Sequence, residues 1–200
     1  AWDACATPLP DLRGRRCFGG LDLSSTTDIS ALVLVFPPIA DDEPTWILPT
    51  FWIPGDGIID RGPRDRVPYD AWVRDGYIRA TPGNVIDYDT IERDILQLNN
   101  EYDIQEVAYD RWNATQMTQH LATEGLTMVQ MGQGFASMSA PSKELMRMVL
   151  ARSIGHGGQP ALRWMADNVT AEMDAAGNVK PSKAKSTQRI DGIVGTIEAV

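Results

Sequence analysis

Cys17-Phe18-Gly19-Gly20-Leu21-Asp22-Leu23 reads as a buried strand, Ser24-Ser25-Thr26-Thr27-Asp28 as a polar turn, and Ile29 to Phe36, interrupted only by Ser30, as a second, β-branched strand. Two strands joined by so short a turn make a β-hairpin. The loop through Pro37-Pro38 and Asp41-Asp42-Glu43-Pro44 leads to a third strand around Thr45 to Ile53. Pro54 to Pro82, rich in Gly, Pro, Asp and Arg, reads as a long functional loop with a short helix near Tyr69 to Asp75. The period then changes. From Tyr88 to Asn100 the apolar residues Ile91, Ile95 and Leu98 fall on one helix face, with Asp89 or Thr90 as N-cap. Glu106 to Asp110 is a short buried strand that ends in an aspartate. Asn113 to Glu124 is a helix closed by Gly125, and Leu126 to Gln130 is another strand, so the middle of the chain alternates strand and helix as a parallel sheet requires.

Ser139-Ala140-Pro141 opens a helix with Leu145, Met148, Val149 and Arg152 along one side, and Trp164 and Met165 begin a further short element. Ser186 to Val200 carries Ile190, Ile193, Val194 and Ile197 at the spacing of one amphipathic face. This pattern runs to the last residue without a terminator, so the chain reads as a piece of a longer protein. Residues 1–16, with Pro8, Pro10 and the basic Arg13, Arg15 and Arg16, read as a linker remnant or N-terminal arm, and 17–200 as one domain.

Two hundred residues with 43% hydrophobic content suffice for one core. The longest apolar stretch is far short of the ~20 residues that cross a bilayer. No secretory leader opens the sequence, and Cys5 and Cys17 lack metal-type spacing. A reducing cytoplasm fits; a Cys5–Cys17 disulfide stays open. The formal net charge of −9 argues against a protein that coats nucleic acid. It does not argue against a nuclease, whose cleft concentrates carboxylates around metal ions that invert the local field.

Three antiparallel strands, a helix, a parallel strand ending in a carboxylate and a C-terminal helix with an acidic residue follow the order of the ribonuclease H-like fold, an α/β architecture with a central mixed sheet flanked by helices. Asp22 lies inside the first strand, where alternation exposes it on one edge of the sheet, and a charge in an apolar strand is costly without a partner. Asp110 ends the fourth strand, on the edge where open α/β sheets bind ligands, although an aspartate there is also a common turn or cap residue. Asp191 borders the apolar stripe of the terminal helix. Three converging carboxylates repel one another unless a hard cation intervenes, which implies Mg²⁺ or Mn²⁺; two ions ~4 Å apart suit in-line phosphodiester hydrolysis. Asp28 reads as a turn residue near enough to join them. Of the two histidines, His120 and His156, the latter sits in the loop Gly155-His156-Gly157-Gly158 with no Cys or Ser nucleophile to pair with and reads as a loop residue rather than a substrate contact, and Gly132-Gln133-Gly134 lacks the third glycine of a dinucleotide fingerprint. Nothing matches the phosphate-binding GxxxxGK[ST] pattern, so no ATPase motif is expected in this chain.

Gly20 to Asp28, then Val107-Ala108-Tyr109-Asp110-Arg111-Trp112-Asn113, and finally Lys185-Ser186-Thr187-Gln188-Arg189-Ile190-Asp191-Gly192 together resemble the nuclease half of the large terminase subunit of tailed phages, most closely the HK97-type branch. The resemblance covers about Cys17 to Val200. It implies a metal-dependent endonuclease that cuts concatemeric double-stranded DNA during packaging, with Asp22, Asp110 and Asp191 as catalytic metal ligands. It also implies that Lys183, Lys185 and Arg189 approach the DNA backbone. The implied partners are an ATPase domain of the same parent protein, the portal and the small terminase subunit, and the implied location is the host cytoplasm. A docking module of the packaging motor, or another ribonuclease H-like enzyme such as a resolvase or transposase, is the alternative.

Overall fold

β1 (Arg16–Asp22) pairs antiparallel with β2 (Ser30–Phe36), and β2 with β3 (Thr45–Pro54), which are the hairpin and third strand expected from the sequence. The computed structural model describes residues 1–110 and 115–200. After β3 come α1 (Ile58–Asp65), α2 (Tyr69–Arg74) and β4 (Arg79–Thr81), which returns parallel to β3. The stretch 54–82 is therefore two helices and an edge strand rather than a loop with one helix. Its loop-like composition gathers at the junctions, with Gly57 and Pro68 at the N-caps of α1 and α2.

α3 (Tyr88–Glu101) crosses over to β5 (Asp103–Tyr109), parallel to β1, and α4 (Thr115–Thr123) leads to β6 (Met128–Gln130), parallel to β5. The strands lie in the order β4-β3-β2-β1-β5-β6. Asn113, the expected start of α4, lies with Arg111 and Trp112 outside the described residues. The cap of α3 is Asp87, two or three residues earlier than expected. Its backbone is still extended, and its carboxylate accepts from the N–H groups of Asp89 at 3.0 Å and Thr90 at 3.4 Å.

The remainder comprises α5 (Phe135–Ala151), the two-residue β7 (Ile154–Gly155) beside β3, α6 (Pro160–Asn168), a small hairpin of β8 (Ala171–Met173) and β9 (Val179–Pro181), and α7 (Asp191–Ala199). Three boundaries differ from the sequence reading. α5 begins at Phe135 and continues through Pro141, forgoing the donor that proline lacks. α6 begins at Pro160, ahead of Trp164, because the Gln159 side chain accepts from Leu162 N–H at 2.6 Å. α7 starts at Asp191, not Ser186. The hydroxyls of the preceding residues bond elsewhere, Ser186 to the Ser182 carbonyl at 2.7 Å and Thr187 to Asn168 Oδ1 at 3.1 Å, and draw that segment out of the helix.

β2 explains the layering. All seven of its residues are buried, with Ala31, Val33 and Val35 facing α5, α6 and α7, and Leu32, Leu34 and Phe36 facing α3 and α4. An unbroken apolar run is what a central strand covered on both faces needs. Cys5 and Cys17 are free, buried thiols in opposite layers, which closes the disulfide alternative. The N-terminal segment lies against the domain, with Trp2–Cys5 in a short 3-10 turn, the Trp2 ring stacked on His156, and Leu12 buried. Among the described residues no helix is long and apolar enough to cross a membrane.

Candidate active site

Alternation along β1 decides what faces α7. Cys17 and Leu21 belong to the α3 layer, so Gly20 and Asp22 point the other way. A Cβ on Gly20 would stand 1.9 Å from the Gly195 carbonyl oxygen, so the helix rests directly on the strand backbone. This close approach brings Asp191, the first residue of α7, over Asp22 at the carboxyl end of β1. An acidic residue suits that first turn, where the helix dipole presents its positive end. Asp22 is only 3% exposed and so does not lie on an open sheet edge as the alternation alone suggested; α7 and Lys183 cover it. The Lys183 ammonium stands between the two carboxylates, 2.7 Å from Asp22 Oδ2 and 3.0 Å from Asp191 Oδ1.

Asp110 follows Tyr109, whose register partner on β1 is Leu21. One step further along both parallel strands, Asp22 and Asp110 stand at the same level at adjacent strand ends. A fourth carboxylate, absent from the sequence reading, joins them. Glu198 on α7 is buried, accepts a hydrogen bond from Gln133 Nε2 at 3.2 Å, and lies within electrostatic reach of Asp22, Lys183 and Asp110. The signal was present in the sequence: Glu198 is seven residues after Asp191 and so shares its helix face.

The electrostatics follow from burial. Loss of water, reinforced by the Asp191 charge and opposed by Lys183, pushes the Asp22 carboxyl up to about 7. Burial likewise raises Glu198 well above the usual carboxylate range, with the charges of Asp22 and Asp110 adding to it. Desolvation alone would lower the Lys183 pKa, but the two aspartates outweigh it and hold the ammonium protonated. Asp191 Oδ2 and Glu198 Oε2 are buried without a hydrogen-bond partner. One ammonium therefore leaves carboxyl oxygens of this cluster unsatisfied, and buried oxygens of this kind are what a hard divalent cation takes as ligands. Among the described residues no three His, Cys, Asp or Glu form a ready-made metal cage, and Lys183 lies between Asp22 and Asp191.

A polar groove of about 390 Å³ runs from this cluster between the β1–β2 turn and the segment before α7, lined by Ser24, Thr26, Asp28, Lys183, Arg189 and Asp191. Arg189 and Asp28 pair across it at 2.5 Å, and Lys185 lies 3.9 Å from Glu172. Asp28 thus closes the groove rather than joining the carboxylates. His156 is remote from them; it is buried beneath Trp2, with Nε2 3.0 Å from the Trp2 carbonyl. His120 sits on the surface beside Glu92, and Gly132 and Gly134 flank the glutamine that reaches Glu198.

A mixed sheet of this order with helical layers on both faces is a ribonuclease H-like α/β domain, and its acidic cleft sits at the carboxyl ends of the central strands. The family model for the endonuclease domain of the terminase large subunit matches residues 1–200, and the chain belongs to that family of nuclease domains. It is 37% identical over 201 residues to the terminase large subunit of Enterobacteria phage HK97, covering 100% of this chain and 39% of that protein. It superimposes on the crystal structure of the HK97 bacteriophage large terminase with a TM-score of 0.90, over 99% of this chain and 41% of the other. The fold alone is shared with the large terminase nuclease from thermophilic phage G20c, crystallised with bound magnesium, at a TM-score of 0.59 and 12% identity over 94% of this chain and 82% of that one. The chain spans less than half the length of the curated relatives it matches.

Proposed function

We propose that the chain is the metal-dependent endonuclease domain of a viral packaging terminase, cutting concatemeric double-stranded DNA. The observation that carries this reading is the under-compensated acidic cluster, in which Asp22 and Asp191 share one ammonium while carboxylate oxygens of Asp191 and Glu198 lack partners. Asp22, Asp110 and Asp191 would hold two divalent cations, with Mg²⁺ or Mn²⁺ as the fitting ions. When bound, such ions supply Lewis-acid charge stabilisation and an activated water for in-line attack on a phosphodiester. The G20c nuclease with bound magnesium supports the choice of metal class.

The chain's own residues do the rest. The Gly20–Gly195 contact fixes the carboxylates on two rigid elements, so that they need not reorganise during the reaction. Lys183 and Arg189 line the groove and would approach the phosphate backbone, with Lys185, beside Glu172, as the third cation of the same segment. Residues 1–16 connect the domain 17–200 to an ATPase domain of the parent protein, where the ATP chemistry resides. The portal and the small terminase subunit are the further partners, and the host cytoplasm is the site of action.

Plasmid incubated with the chain and Mn²⁺ or Mg²⁺ tests the reading. Wild type should nick and linearise it, and Asp191→Ala should not; equal plasmid survival with both proteins would reject the catalytic assignment.

A further inference from the structure

We propose that Lys183 is the resident counter-ion of the metal-free site, holding Asp22 and Asp191 together with its ammonium and giving up that place to an incoming divalent cation. The inference rests on the metal-dependent reading above and adds a competitor for the metal that belongs to the chain itself. Its basis is the placement of Nζ between the carboxylates, 2.7 Å from Asp22 Oδ2 and 3.0 Å from Asp191 Oδ1. A charged ammonium has three donors and no lone pair, so it cannot share a coordination shell, and a dication at the same carboxylates repels it.

The two sides of the contact differ in mobility. The side chains of Asp22 and Asp191 are 4% and 11% exposed, whereas that of Lys183 is 48% exposed and enters from the open side of the cleft on a flexible four-carbon stem. Lys183 can therefore withdraw without disturbing the fold, while the carboxylates are fixed by β1 and α7. The neighbouring cations do not substitute for it, because Arg189 is paired with Asp28 and Lys185 leans toward Glu172. A single charge also leaves Asp191 Oδ2 and Glu198 Oε2 unsatisfied, which favours exchange of one ammonium for a doubly charged ion.

Competition of this kind has a sign. Calorimetric titration of the metal-free chain with Mn²⁺ should show Lys183→Met binding the ion about tenfold more tightly than wild type, the equivalent of one partly buried ion pair no longer broken on binding. Equal or weaker binding by Lys183→Met overturns the proposal while leaving the metal site intact. Absence of Mn²⁺ binding in both proteins overturns the metal reading together with it. A measurement on the unaltered chain covers the case of a variant that does not fold. Acetic anhydride labelling read by mass spectrometry should increase at Lys183 when Mn²⁺ is added and stay constant at the exposed Lys143, and unchanged labelling of Lys183 overturns the proposal.

Discussion

A carboxylate buried with one oxygen unpartnered weakens the metal-free fold, and Glu198 is in that position. Glutamine in its place keeps an oxygen for the Gln133 donor and removes the carboxyl whose ionisation burial penalises. Glu198→Gln should therefore raise the metal-free Tm by on the order of 3 °C, about 1 kcal/mol in a domain of this size. The same substitution should weaken Mn²⁺ binding, because the site loses a carboxyl that a nearby cation would ionise. A calorimetric scan showing a lower Tm would mean that the carboxylate is better paired than its surroundings indicate. Asp22 was legible from sequence because a lone charge among Gly, Leu and Leu has few structural excuses. Glu198 carries a weaker signal, its seven-residue spacing from Asp191, because it follows Ile197 at the end of an apolar helix where one acidic residue is commonplace. Lys183 was legible as a cation but not as a partner of aspartates, because Lys180-Pro181-Ser182-Lys183-Ala184-Lys185 has the composition of an exposed basic loop. Its role depends on where α7 begins, which spacing alone does not fix.

The pairing of β1 with α7 turns two dispersed aspartates into one site, and it depends on two glycines. A Cβ on Gly20 meets the Gly195 carbonyl oxygen at 1.9 Å, a backbone atom that cannot rotate away, whereas a Cβ on Gly195 meets the Gly20 oxygen at a milder 3.0 Å and Val33 at 3.3 Å. Gly20→Ala should cost about 3 kcal/mol or more, the upper range of overpacking, and abolish cleavage by lifting Asp191 from Asp22. Gly195→Ala should cost clearly less, because alanine recovers up to about 1 kcal/mol of helix propensity. Denaturant midpoints of the two variants check the order, and equal midpoints would mean that α7 does not rest on the β1 backbone. The strands and crossover helices were readable because their periods are unambiguous: β2 is apolar from Ala31 to Phe36, and α3 carries Ile91, Ile95 and Leu98 on one face. The hairpin of β8 and β9 was invisible, since Ala171-Glu172-Met173 and Val179-Lys180-Pro181 are too short to show a period. The start of α7 was misplaced because Ser186 and Thr187 continue the helical spacing while their hydroxyls are bonded to Ser182 and Asn168.

Contacts remote from the cleft tie the whole molecule together, and those of residues 1–16 are the most exposed to test. Trp2 stacks on His156 with ring centroids 4.5 Å apart, and Asp3 pairs with Arg163 at 2.6 Å. Trp2→Ala should lower Tm by about 4–8 °C, on the order of 2 kcal/mol for a partly buried indole, with the carboxylate cluster intact. Proteolysis of the variant should begin before β1; an unchanged Tm would mean the arm is merely draped on the surface. The response to pH is set by groups of opposite sign. Glu43 is held down to about 2, first by the Arg15 guanidinium, then by the Ile39 N–H and the Trp46 indole. Its folded value lies below the ordinary 4.5, so its stabilisation is complete above 4.5 and is lost as pH falls from there through about 2. Asp22 lies the other way, raised by burial from 3.8 to about 7, so the metal-free fold is strongest below 3.8 with respect to this group and weakens as pH climbs toward 7. Metal-free Tm should therefore pass through a maximum in mildly acidic solution. Glu43→Gln should flatten the acid limb, and Mn²⁺ should flatten the neutral limb by neutralising the cluster. Calorimetric scans from acid to neutral pH distinguish the two effects. A neutral limb that persists unchanged in saturating Mn²⁺ would show that the carboxylates of the cleft do not control it.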